Sequence, residues 1–225
     1  MRRVASLYRS SVGKKILMAL SGLILFGFIV GHMVGNLKVL SGPEAFNHYA
    51  EFLREVGYPL LPHQSFLWGF RLLLLGAVFL HAISALQLWN ASRAARGGGY
   101  GRKADISFSY ASRTMRWGGV ILALFIVYHI LHLTTGSVHA DFIPGDVYHN
   151  YVTAFQSPLI FALYAVAQAA LCFHLYHGLW SVTQTLGANH PRYNPLRRPV
   201  AVVVSLGIFV GFLIPPVLVL AGVVS

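Results

Sequence analysis

Long apolar runs alternate with short polar connections along this chain. Five runs, about Ile16–Asn36, Phe66–Trp89, Trp117–Thr135, Pro158–Thr183 and Val200–Val223, each approach or exceed the about 20 apolar residues that a bilayer-spanning helix needs. Hydrocarbon offers no partner to backbone N–H and C=O groups, so such runs must be helices that bond within themselves. The pattern predicts an all-α fold, a polytopic membrane helical bundle with five transmembrane helices, residues 1–225 forming one membrane domain. Between the first two runs, Gly42–Gly57 has Pro43 at a first helical position, Phe46, Tyr49, Phe52, Leu53 and Val56 at helical spacing, and Gly57 as a stop. That pattern predicts a short amphipathic helix, about 43–56, lying on the outer membrane surface. Gly136–Ser157 reads as a loop, Arg93–Lys103 as a glycine-rich flexible loop, and Pro215–Pro216 as a kink near the end of the fifth helix.

Composition agrees: 56% of the residues are hydrophobic and 10% charged, against roughly 25% charged in soluble domains. Lys and Arg number 17 against 6 Asp and Glu, an excess that in a soluble protein points to nucleic acid. Here the cations sit in short connections, where the positive-inside rule accounts for them, and no nucleic-acid partner is expected. Arg93, Arg96, Arg102, Lys103, Arg113 and Arg116 share one connection, and Arg192, Arg197 and Arg198 another. Glu44, Glu51, Glu55, Asp141 and Asp146 occupy the alternate ones. The expectation is a multi-pass protein of the bacterial cytoplasmic (inner) membrane, N-terminus cytoplasmic and C-terminus outside. The basic start, with Arg2, Arg3, Arg9, Lys14 and Lys15, superficially resembles a signal peptide. The run behind it is too long and lacks a cleavage site, so it reads as a retained first span. With Cys172 alone, the chain has no internal disulfide, no CxxCH haem attachment and no cysteine-ligated cluster of its own.

Six of the 11 histidines, His32, His81, His129, His132, His174 and His177, fall inside the apolar runs. Ionisable groups at membrane depth are rare and expensive, and a neutral imidazole is a natural axial ligand for haem iron. The plain alternative is a histidine bonded to a neighbouring helix. Depth favours haem. His32 and His129 lie near the outer ends of outward-running helices, whereas His81 and His174 lie in the cytoplasmic half of inward-running ones. Two pairs at two depths suit two stacked bis-histidine haems. His132 and His177 sit one turn beyond His129 and His174 on the same faces, as alternative ligands or as partners of propionate or quinone. Gly27, Gly31 and Gly35 form a small-residue stripe open to a porphyrin or a helix.

Gly31-His32-Met33-Val34, Phe79-Leu80-His81-Ala82, Val127-Tyr128-His129 and Phe173-His174-Leu175-Tyr176-His177-Gly178-Leu179-Trp180-Ser181 together resemble the cytochrome b membrane anchor of dihaem succinate:quinone oxidoreductases. These are the succinate dehydrogenases and fumarate reductases with a five-helix, single-subunit anchor. The resemblance implies His129 and His174 as ligands, because in the family the ligand precedes GLWS by four positions. The implied proximal haem pair is His81 and His174 and the distal pair His32 and His129, with His132 and His177 around them. It also implies two haem b, a quinone substrate (menaquinone), FAD and iron–sulfur clusters on partner flavoprotein and iron–sulfur subunits, and a place in the tricarboxylic acid cycle. The chain would then be the electron-transfer and quinone-reacting subunit of a multisubunit enzyme.

Quinone chemistry moves protons and needs a titratable group at a ring oxygen. The surface helix offers Glu51 and His48 beside the distal haem, and family members carry a functional glutamate in this connection. The alternatives are a solvated Glu51 and a quinone pocket near the proximal haem. Rival functions are the dihaem anchor of a formate dehydrogenase or hydrogenase, a bc-type cytochrome b, and a histidine-containing cation transporter. The bc type carries two ligands on each of two helices, and a transporter needs carboxylates at membrane depth, which these spans lack.

Overall fold

The computed structural model describes residues 10–95, 106–188 and 190–225, with backbone alone over 106–114. Arg2, Arg3, Arg9, Arg96, Arg102, Lys103 and the side chain of Arg113 lie outside the described residues. The described residues form helices only: α1 Ser11–Leu37, α2 Pro43–Glu55, α3 Ser65–Ala94, α4 Ile106–His129, α5 Val147–Phe155, α6 Pro158–Thr185 and α7 Arg197–Leu220. Five of them, α1, α3, α4, α6 and α7, are long and apolar enough to cross a membrane.

The spans outrun the apolar stretches that announce them. α1 starts at Ser11, whose predecessor Ser10 caps it by accepting from Gly13 N at 3.0 Å, so Lys14 and Lys15 are already helical. Long cationic side chains tolerate this because their stems lie along apolar surface while the charge reaches the interface. For the same reason Arg93 is helical in α3, and Arg113 and Arg116 belong to α4 rather than to a loop. Arg93 and Arg116 both lie over the Trp89 ring, at 5.6 and 5.5 Å from its centroid. α7 runs through Pro215 and Pro216 to Leu220, and both prolines are buried.

α1 packs against α3 and α7, and α6 against α4 and α7. The bundle is thus two helix pairs, α1/α3 and α4/α6, with α7 closing one side. Gly211 of α7 leaves the space that Met33 of α1 fills, a close approach that a Cβ there would obstruct. Along the spans most side chains face outward, as a lipid solvent permits. The buried apolar cluster sits at one end, where Val39, Phe46, Tyr151, Val152, Phe155, Tyr164 and Val219 meet.

That capped end corrects the reading of Gly136–Ser157 as a loop. The stretch contains α5, capped by Asp146, whose carboxylate accepts from His149 N at 2.9 Å. Gly136, at φ 71°, turns the chain out of α4 and has the Phe142 ring packed where a side chain would stand. α2 and α5 are clasped side by side: Asn47 Nδ2 donates to Asp146 Oδ1 at 2.9 Å, and Tyr148 N donates to Asn47 Oδ1 at 3.0 Å. Buried Asn150 closes the connection, taking Ile143 N at 2.7 Å and donating to Ile143 O at 2.8 Å.

The Asp146 carboxylate therefore accepts two hydrogen bonds, and they hold its carboxyl below the usual range, the His149 amide first and the Asn47 side chain second. A depressed folded value contributes stability above the ordinary carboxylate range, and that contribution is lost as pH falls through the folded value. Amide exchange over 147–155 should therefore accelerate on acidification below about pH 4. Asp146→Asn should flatten that response. Equal acid sensitivity in both proteins would show that the clasp does not depend on the carboxylate.

Candidate haem sites

Four histidines converge in two pairs. His32 of α1 and His129 of α4 approach with ring centroids 5.7 Å apart and planes at 79°. His81 of α3 and His174 of α6 do so at 6.0 Å and 60°. Each pair spans the gap between the two helix pairs, one imidazole from either side. The His32–His129 pair lies toward the capped end. Gly22 of α1 packs on His81, and His32 is ten residues further along; Tyr164 of α6 adjoins His129, and His174 is ten residues further along. On both helices that offset corresponds to about 15 Å along the bundle.

Two imidazoles sharing one first-row metal ion, at about 2 Å per bond and about 1 Å more to each ring centre, have centroids about 6 Å apart. Both observed separations are of that size. Among the described residues no three His, Cys, Asp or Glu side chains converge on a metal-ion position. Two opposed imidazoles without a third protein donor suit a group that brings its own equatorial nitrogens, as a porphyrin does. Gly27 and Gly31 of α1 have no other protein atom within 4 Å of where a Cβ would be, leaving room beside His32 for a flat macrocycle. His174 Nδ1 is buried without a hydrogen-bond partner, the kind of orphaned polar atom that marks a bound group. The residues fit haem.

What surrounds each ring fixes its orientation. His81 Nδ1 stands 3.0 Å from the Met18 carbonyl, which can only accept; the proton is on Nδ1 and the Nε2 lone pair is left free. A Cβ at Gly22 would lie 3.2 Å from His81 Cε1, so glycine there lets the ring sit against α1. His32 stacks on Phe28 at 5.1 Å, and His129 on Phe125 at 5.7 Å.

The other sequence-selected residues fall in different places. His132 is 2% exposed and belongs to the π-helical turn Ile130–Thr134 that follows α4, with its Nδ1 2.9 Å from the Tyr164 hydroxyl. His177 is on α6 with its ring against Trp180 at 5.6 Å. Glu51 and His48 are exposed on the polar face of α2 and line an open groove of about 500 Å³ with Glu44, Asn47, Arg54 and Gly145. The face of α2 turned to the bundle carries Phe46 and Tyr49 instead, the Tyr49 hydroxyl standing 3.2 Å from where a Gly35 Cβ would be. Tyr49 reads from the sequence only as one of the apolar positions of the surface helix, and Tyr164 escapes sequence reasoning because tyrosines near span ends are ordinary interfacial residues; the fold shows that both meet the histidine helices.

An all-helical bundle with five helices long and apolar enough to cross a membrane, and with opposed histidine pairs at two levels, suits haem held between its helices. Residues 106–214 match the family described as the succinate dehydrogenase/fumarate reductase transmembrane subunit. The chain is 27% identical over 197 residues to the succinate dehydrogenase cytochrome b558 subunit of Bacillus subtilis (strain 168), covering 85% of this chain and 87% of that protein. No solved structure matches the chain significantly. Over residues 106–214 the chain is thus similar to the succinate dehydrogenase/fumarate reductase transmembrane subunit family, and over most of its length to a succinate dehydrogenase cytochrome b subunit.

Gly22→Val should press on His81 and lower the haem-to-protein ratio of the purified protein. Gly207→Ala on α7, where a Cβ would meet open space, is the matched control and should leave the ratio unchanged. Equal ratios in both variants would show that the Gly22 approach to His81 is not needed.

Proposed function

We propose that this anchor carries two b haems and passes electrons between an iron–sulfur subunit on the cytoplasmic face and menaquinone, as the quinone-reacting subunit of a succinate dehydrogenase/fumarate reductase. The observation that carries the proposal is the pair of opposed imidazoles at 5.7 Å and the second pair at 6.0 Å, about 15 Å apart along the bundle. A b haem with two axial imidazoles has no open coordination position and supplies one-electron transfer. The chain's part is to hold, space and orient. His81 and His174 would hold the haem nearer the N-terminal end of α1, and His32 and His129 the one at the capped end. The Met18 carbonyl keeps the His81 lone pair aimed away from α1.

The basic ends of α3 and α4, with Arg93 and Arg116 gathered on Trp89, are the cytoplasmic side by the positive-inside rule. On this reading the N-terminus is inside, the capped end is outside, and the iron–sulfur and flavoprotein subunits, with their clusters and FAD, dock against the Arg93–Arg116 end. Those two arginines compensate haem propionates or an acidic partner surface. Quinone reacts at the outer, capped end, where Glu51 and His48 exchange protons with a ring oxygen across the α2 groove and Tyr49 lines the side toward His32.

Replacing either member of a pair should remove the same haem. His81→Ala and His174→Ala should give one reduced spectrum, and His32→Ala and His129→Ala the complementary one, each with about half of the haem. Complementary losses within one proposed pair would overturn the pairing. His177→Ala should retain both haems.

Glu51→Gln should keep full haem content and lower quinone-linked turnover by at least about tenfold, measured in membranes with the partner subunits bound. Unchanged turnover would place the proton-exchanging group elsewhere.

A further inference from the structure

At the capped end one side chain stands between two histidines. Tyr164 of α6 is 6% exposed, and its hydroxyl lies 3.3 Å from His129 Nδ1 and 2.9 Å from His132 Nδ1. The hydroxyl has little freedom. The ring meets Phe125 and Phe155 edge-on, each at 4.9 Å, the first on α4 and the second on α5. His132 is fixed as well, between Tyr128 at 5.2 Å and His139 at 4.9 Å, both stacked within 20° of parallel. The backbone makes room for both histidines on one side: after His129 the helix widens into the π-helical turn, with Thr135 N bonded to Ile130 O at 2.9 Å.

Valence then fixes the direction of this chain of bonds. A ligand imidazole uses its Nε2 lone pair on iron, so its Nδ1 carries the proton and donates. His129 Nδ1 therefore donates to the Tyr164 oxygen. The phenol has one proton, and the remaining neighbour within reach is His132 Nδ1, so Tyr164 donates there and His132 is the Nε2–H tautomer. A hydroxyl that donates is a better acceptor, so His132 strengthens the bond that Tyr164 makes to the ligand. The other pair is built differently, with a main-chain carbonyl on His81 and no protein partner on His174 Nδ1.

We propose that Tyr164 is the positioning residue of the haem ligand His129 and that His132 orients the Tyr164 hydroxyl, so that this two-residue relay sets how strongly His129 donates to the capped-end haem. The inference rests on the dihaem reading above. A ligand whose Nδ1–H is hydrogen-bonded has more imidazolate character and favours the oxidised metal. Removing the acceptor thus favours the reduced haem.

The test is a redox titration, with low-spin haem EPR, of the full-length protein in membranes. The unmodified protein, titrated first, must show two b haems; one or none refutes the dihaem reading itself and with it the proposal. Given two, Tyr164→Phe should retain both and shift the reduced-to-oxidised ratio of one haem, the one lost in His32→Ala, by about fivefold toward reduced at its unmodified midpoint, the size one net hydrogen bond carries. The EPR signal of that haem should move, and that of the other should not. His132→Ala should shift the same haem in the same direction by less, and His132→Asn, which restores an acceptor, should recover most of the difference. Tyr164→Phe with both midpoints and signals unchanged overturns the role of Tyr164 and leaves the dihaem reading intact. A shift confined to the other haem, or loss of both haems in Tyr164→Phe with none in His132→Ala, overturns it equally.

Discussion

A polar side chain in hydrocarbon has neither water nor counter-ion to satisfy it, and an imidazole there must be hydrogen-bonded or bound to something else. Four helices of this chain each carry such an imidazole toward a shared interior, and the rest of the bundle is arranged around that demand. α1 lies beside α3 and α4 beside α6, so that each histidine faces one on the opposite helix pair. Gly22 gives up a side chain to let His81 rest against α1, and the Met18 carbonyl accepts the hydrogen bond from its Nδ1–H. The buried apolar cluster sits instead at the capped end, where the chain leaves the spans and α2 and α5 can close over them. A bundle of aliphatic helices of the same length would gain little by associating, since lipid is as apolar as leucine. The polar groups inside give these helices a reason to stay together.

The cap is the second organising feature, and it is not independent of the first. Asn47 and Asp146 hold α2 against α5, and α5 carries Tyr151 and Phe155 into the cluster around Tyr164. Burial pushes the Tyr151 hydroxyl well above its ordinary range, so that ring remains neutral packing material. Phe155 presses edge-on against the Tyr164 ring, whose hydroxyl reaches His129. A surface clasp and a histidine of the capped-end pair are thus joined through one aromatic contact and one hydrogen bond.

The spans and their histidines were legible in the sequence because hydropathy and 3.6-residue periodicity dominate in lipid, where few competing structures exist. His32, His81, His129 and His174 could be sorted into two depths from helix rise, while the preference for His129 and His174 over His132 and His177 comes from the family resemblance, and the structure brings the four rings together as His32–His129 and His81–His174. Helix ends were poorly legible, since Lys14, Arg93 and Arg116 look like loop residues until their apolar stems are laid along a helix. α5 was missed because nine residues with a single capping aspartate carry almost no periodic signal against a background of Tyr, His and Asn. Glu51 and His48 were singled out by chemistry, and the fold places them in an exposed groove, with Tyr49 on the side facing α1. Which face of a surface helix turns inward depends on what packs beneath it, and that is a tertiary fact.

The two histidine pairs differ in what stands behind the ligand, and the difference has a physical consequence. On the pair nearer the N-terminus the acceptor for His81 is the Met18 main-chain carbonyl of α1, held in place by the helix itself. On the capped-end pair the acceptor beside His129 is a phenol, held by α5 and by the aromatic contacts of α4. A carbonyl can only accept, whereas a phenol passes on whatever its own acceptor does to it. On the dihaem reading, one site has its donor strength built into the backbone, while the other draws it from a side-chain network that reaches the surface cap. On the same reading, in which electrons pass between two faces of a membrane, the difference between the sites matters more than either value alone. That difference is adjustable from the capped end, where the proposed quinone groove lies.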